Sequence, residues 1–70
     1  MTPKIRVKLI GEEAETAYVA LPGYPREDEK VRGFIAMTIC LDDLIADFTG
    51  PRVHLDFNQA GVLIGIEVIA

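Results

Sequence analysis

The chain has 70 residues and a net charge of −4, with seven Lys+Arg against eleven Asp+Glu, and half its residues are hydrophobic. That balance specifies a folded chain rather than a disordered one, and the length admits one domain, 1–70, with no room for separate cofactor and substrate domains. One cysteine and one histidine exclude an internal disulfide and a four-ligand Cys/His zinc site, and the acidic balance disfavours direct nucleic-acid binding, which rests on Lys and Arg neutralising phosphates.

Met1-Thr2-Pro3-Lys4 leads into alternation rather than an apolar core, so no export signal is expected. With one free thiol, the expected compartment is a reducing cytoplasm. No apolar stretch approaches the ~18 residues of a membrane span. Lys4 to Leu9 alternates basic and apolar residues, the period of a strand that buries Ile5, Val7 and Leu9 and turns Lys4, Arg6 and Lys8 to water. Gly11 to Glu15 reads as a polar turn. Thr16 to Leu21 is a second strand, paired with the first as a hairpin. Two prolines, Gly23 and a charge run make 22–31 a mobile solvated loop.

Phe34 to Leu41 is a nearly continuous apolar run whose β-branching favours a strand. From Asp42 to Phe48 the pattern predicts one short helix, capped by Asp42, with Leu44, Ile45 and Phe48 on one side, stopped by Gly50-Pro51. Arg52 to Phe57 alternates, Asn58-Gln59-Ala60-Gly61 is a type I turn with Gly61 at positive φ, and Val62 to Ile69 is the return strand. The expected register sets Phe57 against Val62, Leu55 against Ile64 and Val53 against Ile66. On the other face it sets Asp56 against Leu63, His54 against Gly65 and Arg52 against Glu67. The fold class is therefore α+β, a small antiparallel sheet of four to five hairpin-connected strands with one short helix near 42–48.

Apolar residues occupy both faces of the last strand, since Leu63 and Ile69 interrupt its polar side. A domain of this size buries only about 60% of its unfolded surface, and one small sheet cannot hide both faces, so the second must be covered by the helical turn near residue 45 or by another subunit. These features predict a homodimer through Leu63, Ile69, Tyr18 and His54, and a non-catalytic self-associating or protein-interaction module.

Residues 53–69, with Asn58 to Gly61 followed by Gly65-Ile66-Glu67, resemble the C-terminal signature of the YuzE-like family of small prokaryotic domains. Glu13-Ala14-Glu15-Thr16-Ala17-Tyr18-Val19-Ala20-Leu21 resembles that family's N-terminal motif, an acidic-Ala-acidic run that leads through a Tyr into a strand. Together the two stretches span about a third of the chain. The resemblance implies a small β-rich or α+β domain with no assigned activity. Asn58 and Ala60 depart from the acidic residues usual in the family's turn, which weakens cation binding there. Some family members look like antitoxins, so an acidic antitoxin-like protein neutralising a small basic partner is the alternative.

A third reading is a small-ligand binder using His54 and Asp56, next but one on a strand. No nucleophile or metal spacing accompanies them, so no enzyme activity and no cofactor or metal is expected. Cys40 in its apolar run reads as a small hydrophobe. Asp42, Asp43 and Asp47 match no calcium loop, and Glu12, Glu13 and Glu15 read as a solvated turn. Gly61 and Gly65 sit in a hairpin rather than at a strand-to-helix junction, so they make no phosphate loop. Gly65 is expected to let His54 or a neighbouring chain approach closely. Tyr18, Tyr24 and Phe34 are too few and too far from basic residues to make a stacking platform for single strands.

Overall fold

A computed structural model describes residues 4–70. Met1, Thr2 and Pro3, on which the reading of an absent export signal partly rests, lie outside the described residues. Five strands form one antiparallel sheet: β1 (Arg6–Ile10), β2 (Thr16–Ala20), β3 (Met37–Cys40), β4 (Arg52–Phe57) and β5 (Leu63–Ile69). Their spatial order is β1-β2-β5-β4-β3, so β5 is central and β1 and β3 are the edges. No helix of the described residues is long and apolar enough to cross a membrane.

The number of strands agrees with the expected four to five; β2, β4 and β5 lie where alternation and β-branching predict them, while β1 runs from Arg6 to Ile10 rather than Lys4 to Leu9 and β3 takes only Met37–Cys40 of the apolar run 34–41. The short helix at 42–48 does not form, and the fold is mostly β rather than α+β. Only a 3-10 turn at Leu41–Asp43 is present, with Cys40 rather than Asp42 at its N-cap and no side-chain cap. Asp47 then adopts φ 60° and Gly50 φ 135°, left-handed conformations that an α-helix cannot include. Leu44 and Ile45, expected to pack as a stripe, are exposed.

The β4–β5 hairpin closes at the predicted turn: Gly61 N–H donates to the Asn58 carbonyl at 3.0 Å, and Gly61 has φ 79°. Its register differs from expectation. Leu55 lies opposite Ile66, Val53 opposite Val68 and His54 opposite Glu67, each two residues further along β5. A bulge beside Asp56 and Phe57, where Phe57 pairs with Leu63, takes up the difference. A shift of two keeps every β4 side chain on its expected face, because the pleat repeats every two residues.

One sheet face is apolar from edge to edge. The rows Val7–Val19–Ile66–Leu55–Ile39 and Leu9–Ala17–Val68–Val53 cross it without a charge. Its edges are open to solvent: Val7 is 63% exposed, Leu9 64% and Met37 52%. The expected burial of Ile5, Val7 and Leu9 therefore does not occur within one chain, because no second layer lies over β1.

The connection from β2 to β3 (21–36) carries a 3-10 turn at Glu27–Glu29 and is hydrogen-bonded to the sheet. Leu21 N–H donates to Ile64 O at 2.9 Å and Ala36 N–H to Phe57 O at 2.8 Å. It packs on Ile64, which is 1% exposed; a Cβ built at Gly23 would sit 3.2 Å from the Ile64 Cγ2. Among the described residues only Ala20 and Ile64 are buried apolar side chains, so the hydrophobic core is a small corner of the sheet.

Candidate functional site

Strand pairing gives the opposite face its polar character. One row runs Lys8–Tyr18–Glu67–His54–Cys40, and the next runs Arg6–Ala20–Gly65–Asp56–Thr38. Ala20 and Gly65 leave a shallow channel, and the Tyr18 ring fills it. A Cβ at Gly65 would lie 2.7 Å from Tyr18 Cζ, so the glycine is required for space. Close approach at Gly65 was expected from His54 or another chain; Tyr18 makes it instead.

Through that channel Tyr18 Oη donates to Asp56 Oδ2 at 2.6 Å, while Thr38 Oγ1 donates to Asp56 Oδ1 at 2.6 Å. Asp56 is 7% exposed. A buried carboxylate needs such partners to offset its lost hydration. Three strands, β2, β4 and β3, are thus tied by one carboxylate. Burial raises the Tyr18 phenol well above its ordinary 10.0, and the hydrogen bond to Asp56 and that carboxylate's charge add to the effect. The neutral phenol is the form that donates to Asp56, so the proton is held at Tyr18 Oη.

His54 and Asp56 share this face but take different partners. His54 Nδ1 lies 3.2 Å from Glu67 Oε1, its cross-strand neighbour. Each Asp56 oxygen already holds a hydroxyl, so the arrangement is a strut rather than a pair poised over an open pocket. Of the four residues expected at an interface, Tyr18, His54 and Ile69 lie on the polar face and Leu63 pairs with Phe57 on the apolar one. All four are half-buried, and the sheet does not bring them together as one patch.

Beside the strut, Tyr18, Tyr24 and Phe34 make a chain of edge-to-face contacts with centroids 5.6 and 5.4 Å apart. Lys30 Nζ sits 5.2 Å from the Tyr24 centroid and 5.7 Å from that of Phe34, and Arg6 Cζ lies 5.8 Å from Tyr24. The expectation that these aromatics lie far from basic groups is overturned: the β2–β3 connection folds back and brings Tyr24 and Lys30 over β1 and β2. Lys30 also bonds Glu27 Oε1 at 3.0 Å; that contact raises its pKa.

Cys40, Asp42 and Asp43 place their donor atoms within 4.8 Å of one another, and both carboxylates are exposed. Asp47 is not in the group. Cys40 is half-buried and faces His54 across the β3–β4 ladder.

Thr38 and the Tyr18–Asp56 contact escaped sequence reasoning. Their one visible signal is Gly65, a glycine inside a strand, which marks close approach without naming what approaches. No protein-family model matches the chain, and no curated protein or solved structure matches it either.

Proposed function

We propose that this chain is a non-catalytic interaction module that closes its apolar sheet face against a second copy of itself. The observation that carries this is the uncharged face running from Val7 to Ile39 in a chain that buries so little of its apolar surface. Hydrophobic burial is the dominant favourable contribution to folding, and a single layer forgoes most of it. A second copy is a fitting occupant because neither partner brings a charge to the contact, although each chain carries −4 overall.

The size also fits. Five strands ~4.8 Å apart, each about five residues long at ~3.3 Å, give a face of roughly 24 by 17 Å. Side-chain relief enlarges this, so two copies bury on the order of 1,000 Å², the scale at which specific interfaces begin. Face-to-face sheets pack about 10 Å apart and near-aligned, leaving both polar faces outward. The YuzE-like resemblance is consistent with a small non-enzymatic β-domain, and it rests on residues 13–21 and 53–69.

Sedimentation equilibrium at micromolar concentration tests the proposal. The expected mass is twice the 7.7 kDa of the chain. A mass of 7.7 kDa would sink it and would favour the alternative, an acidic chain waiting for a basic protein partner.

A further inference from the structure

We propose that the cleft between β1 and the 21–36 connection binds a small aromatic phosphomonoester, with Arg6 and Lys8 taking the phosphate and Tyr18 and Tyr24 the planar body. The residues assigned to the ligand lie on the polar side of the sheet or in the 21–36 connection, and Val7 is the one lining residue that belongs to the apolar face. Its volume is about 400 Å³, within the range of small-ligand sites.

Charge marks the cleft as unusual for this chain. Three of the seven basic residues, Arg6, Lys8 and Lys30, line it with one acid, Glu27, so it is locally cationic in a protein of net charge −4. Glu27 is occupied by Lys30 at 3.0 Å. Among the described residues neither Arg6 nor Lys8 forms an ion pair. They alternate on the edge strand opposite Ala20 and Tyr18, so both side chains rise on the same face, ~7 Å apart along the backbone. Arg6 spends one guanidinium N–H on the Tyr24 carbonyl at 3.2 Å, which orients the group and leaves other N–H donors for an anion. Guanidinium geometry matches phosphate oxygens in pairs, and a lysine adds a point charge beside it.

The remaining wall is apolar and aromatic. Tyr18 and Tyr24 meet edge to face at 5.6 Å beside Ala20 and Ile10, a surface suited to a flat ring. An anion without a ring leaves that wall wet, and a ring without an anion leaves the cations unused. A nucleic-acid strand is a poorer fit, because only these few cations face the cleft and the rest of the surface is acidic on balance.

The test is a two-dimensional NMR titration of the full chain with adenosine monophosphate and with phenyl phosphate. Adenosine, phenol and inorganic phosphate serve as the separate halves. At least one phosphomonoester is expected to shift the amides of Arg6, Lys8, Tyr18, Tyr24 and Lys30. It should bind at least about tenfold tighter than either of its halves and lose at least about tenfold in the double variant Arg6→Gln, Lys8→Gln. Both substitutions lie on an exposed edge strand, and the variant's own spectrum reports that it is folded. The inference is overturned if neither ester shifts these amides at about 5 mM. It is equally overturned if inorganic phosphate binds as well as the esters, or if the double variant binds unchanged.

Discussion

Replacing Gly65 by Ala tests the polar face at its tightest point. The added methyl would stand 2.7 Å from Tyr18 Cζ and 3.0 Å from Cε1, well inside contact distance, and β5 is the central strand, so the backbone has little freedom to retreat. The Tyr18 ring must swing out, breaking its 2.6 Å bond to Asp56. Losing a hydrogen bond to a buried charged acceptor costs about 1.5–3 kcal/mol, and forcing the methyl in without that movement costs about 1–3 kcal/mol as overpacking. These are alternative routes, so the expected loss is roughly 1–3 kcal/mol, against a total of roughly 4–10 kcal/mol for a domain this small. Thermal unfolding followed by circular dichroism should show Tm lower by roughly 5 °C or more, at fixed protein concentration because association shifts Tm. The same substitution in a Tyr18→Ala background, where the channel is empty, should cost under ~1 kcal/mol. The reasoning fails if Gly65→Ala costs less than ~0.5 kcal/mol, or if its cost is the same in both backgrounds.

The raised Tyr18 pKa makes stability pH-dependent at the alkaline end. Below pH 10 both states keep the proton; above it the unfolded chain releases it while the folded chain does not, so stability falls as pH rises. Absorbance titration at 295 nm should show one of the two tyrosines ionising only as the protein unfolds, and Tyr18→Phe should remove that contribution to the slope. Ala14 holds φ 54° without being glycine; Ala14→Gly should raise stability by about 0.5–1 kcal/mol in urea denaturation, since the left-handed strain exceeds the entropy that glycine adds. Gly61→Val, at φ 79°, should lower it by at least about 1 kcal/mol by the same assay. A cost near zero would show that the turn does not need the left-handed conformation.

The parts of the fold visible in the sequence are those where local pattern and tertiary environment agree. Alternation along Arg52–Phe57 and the Asn58–Gly61 turn place the hairpin, because a polar residue on the wrong face would be costly. The register beyond the turn was not visible: a slip of two residues leaves Leu55 and Val53 on the same face, and nothing local signals the bulge at Asp56 and Phe57. Residues 42–48 carry a helical stripe, yet Leu44 and Ile45 have no sheet surface beneath them and remain exposed; without packing, a stripe this short does not sustain a helix. The Tyr18–Asp56–Thr38 strut joins positions 38 and 18 residues apart. It is a product of strand order, and the folding-back of Tyr24 and Lys30 over β1 is likewise long-range.

Contact between the apolar faces of two copies is visible in an isotope-filtered NMR experiment on a mixture of labelled and unlabelled chains, which reports only contacts between copies. Intermolecular contacts are predicted from the methyls of Leu55, Ile66 and Val68 to the same strands of the partner. Contacts confined to Tyr18, His54 and their neighbours on the polar face, or no intermolecular contacts at all, would contradict it.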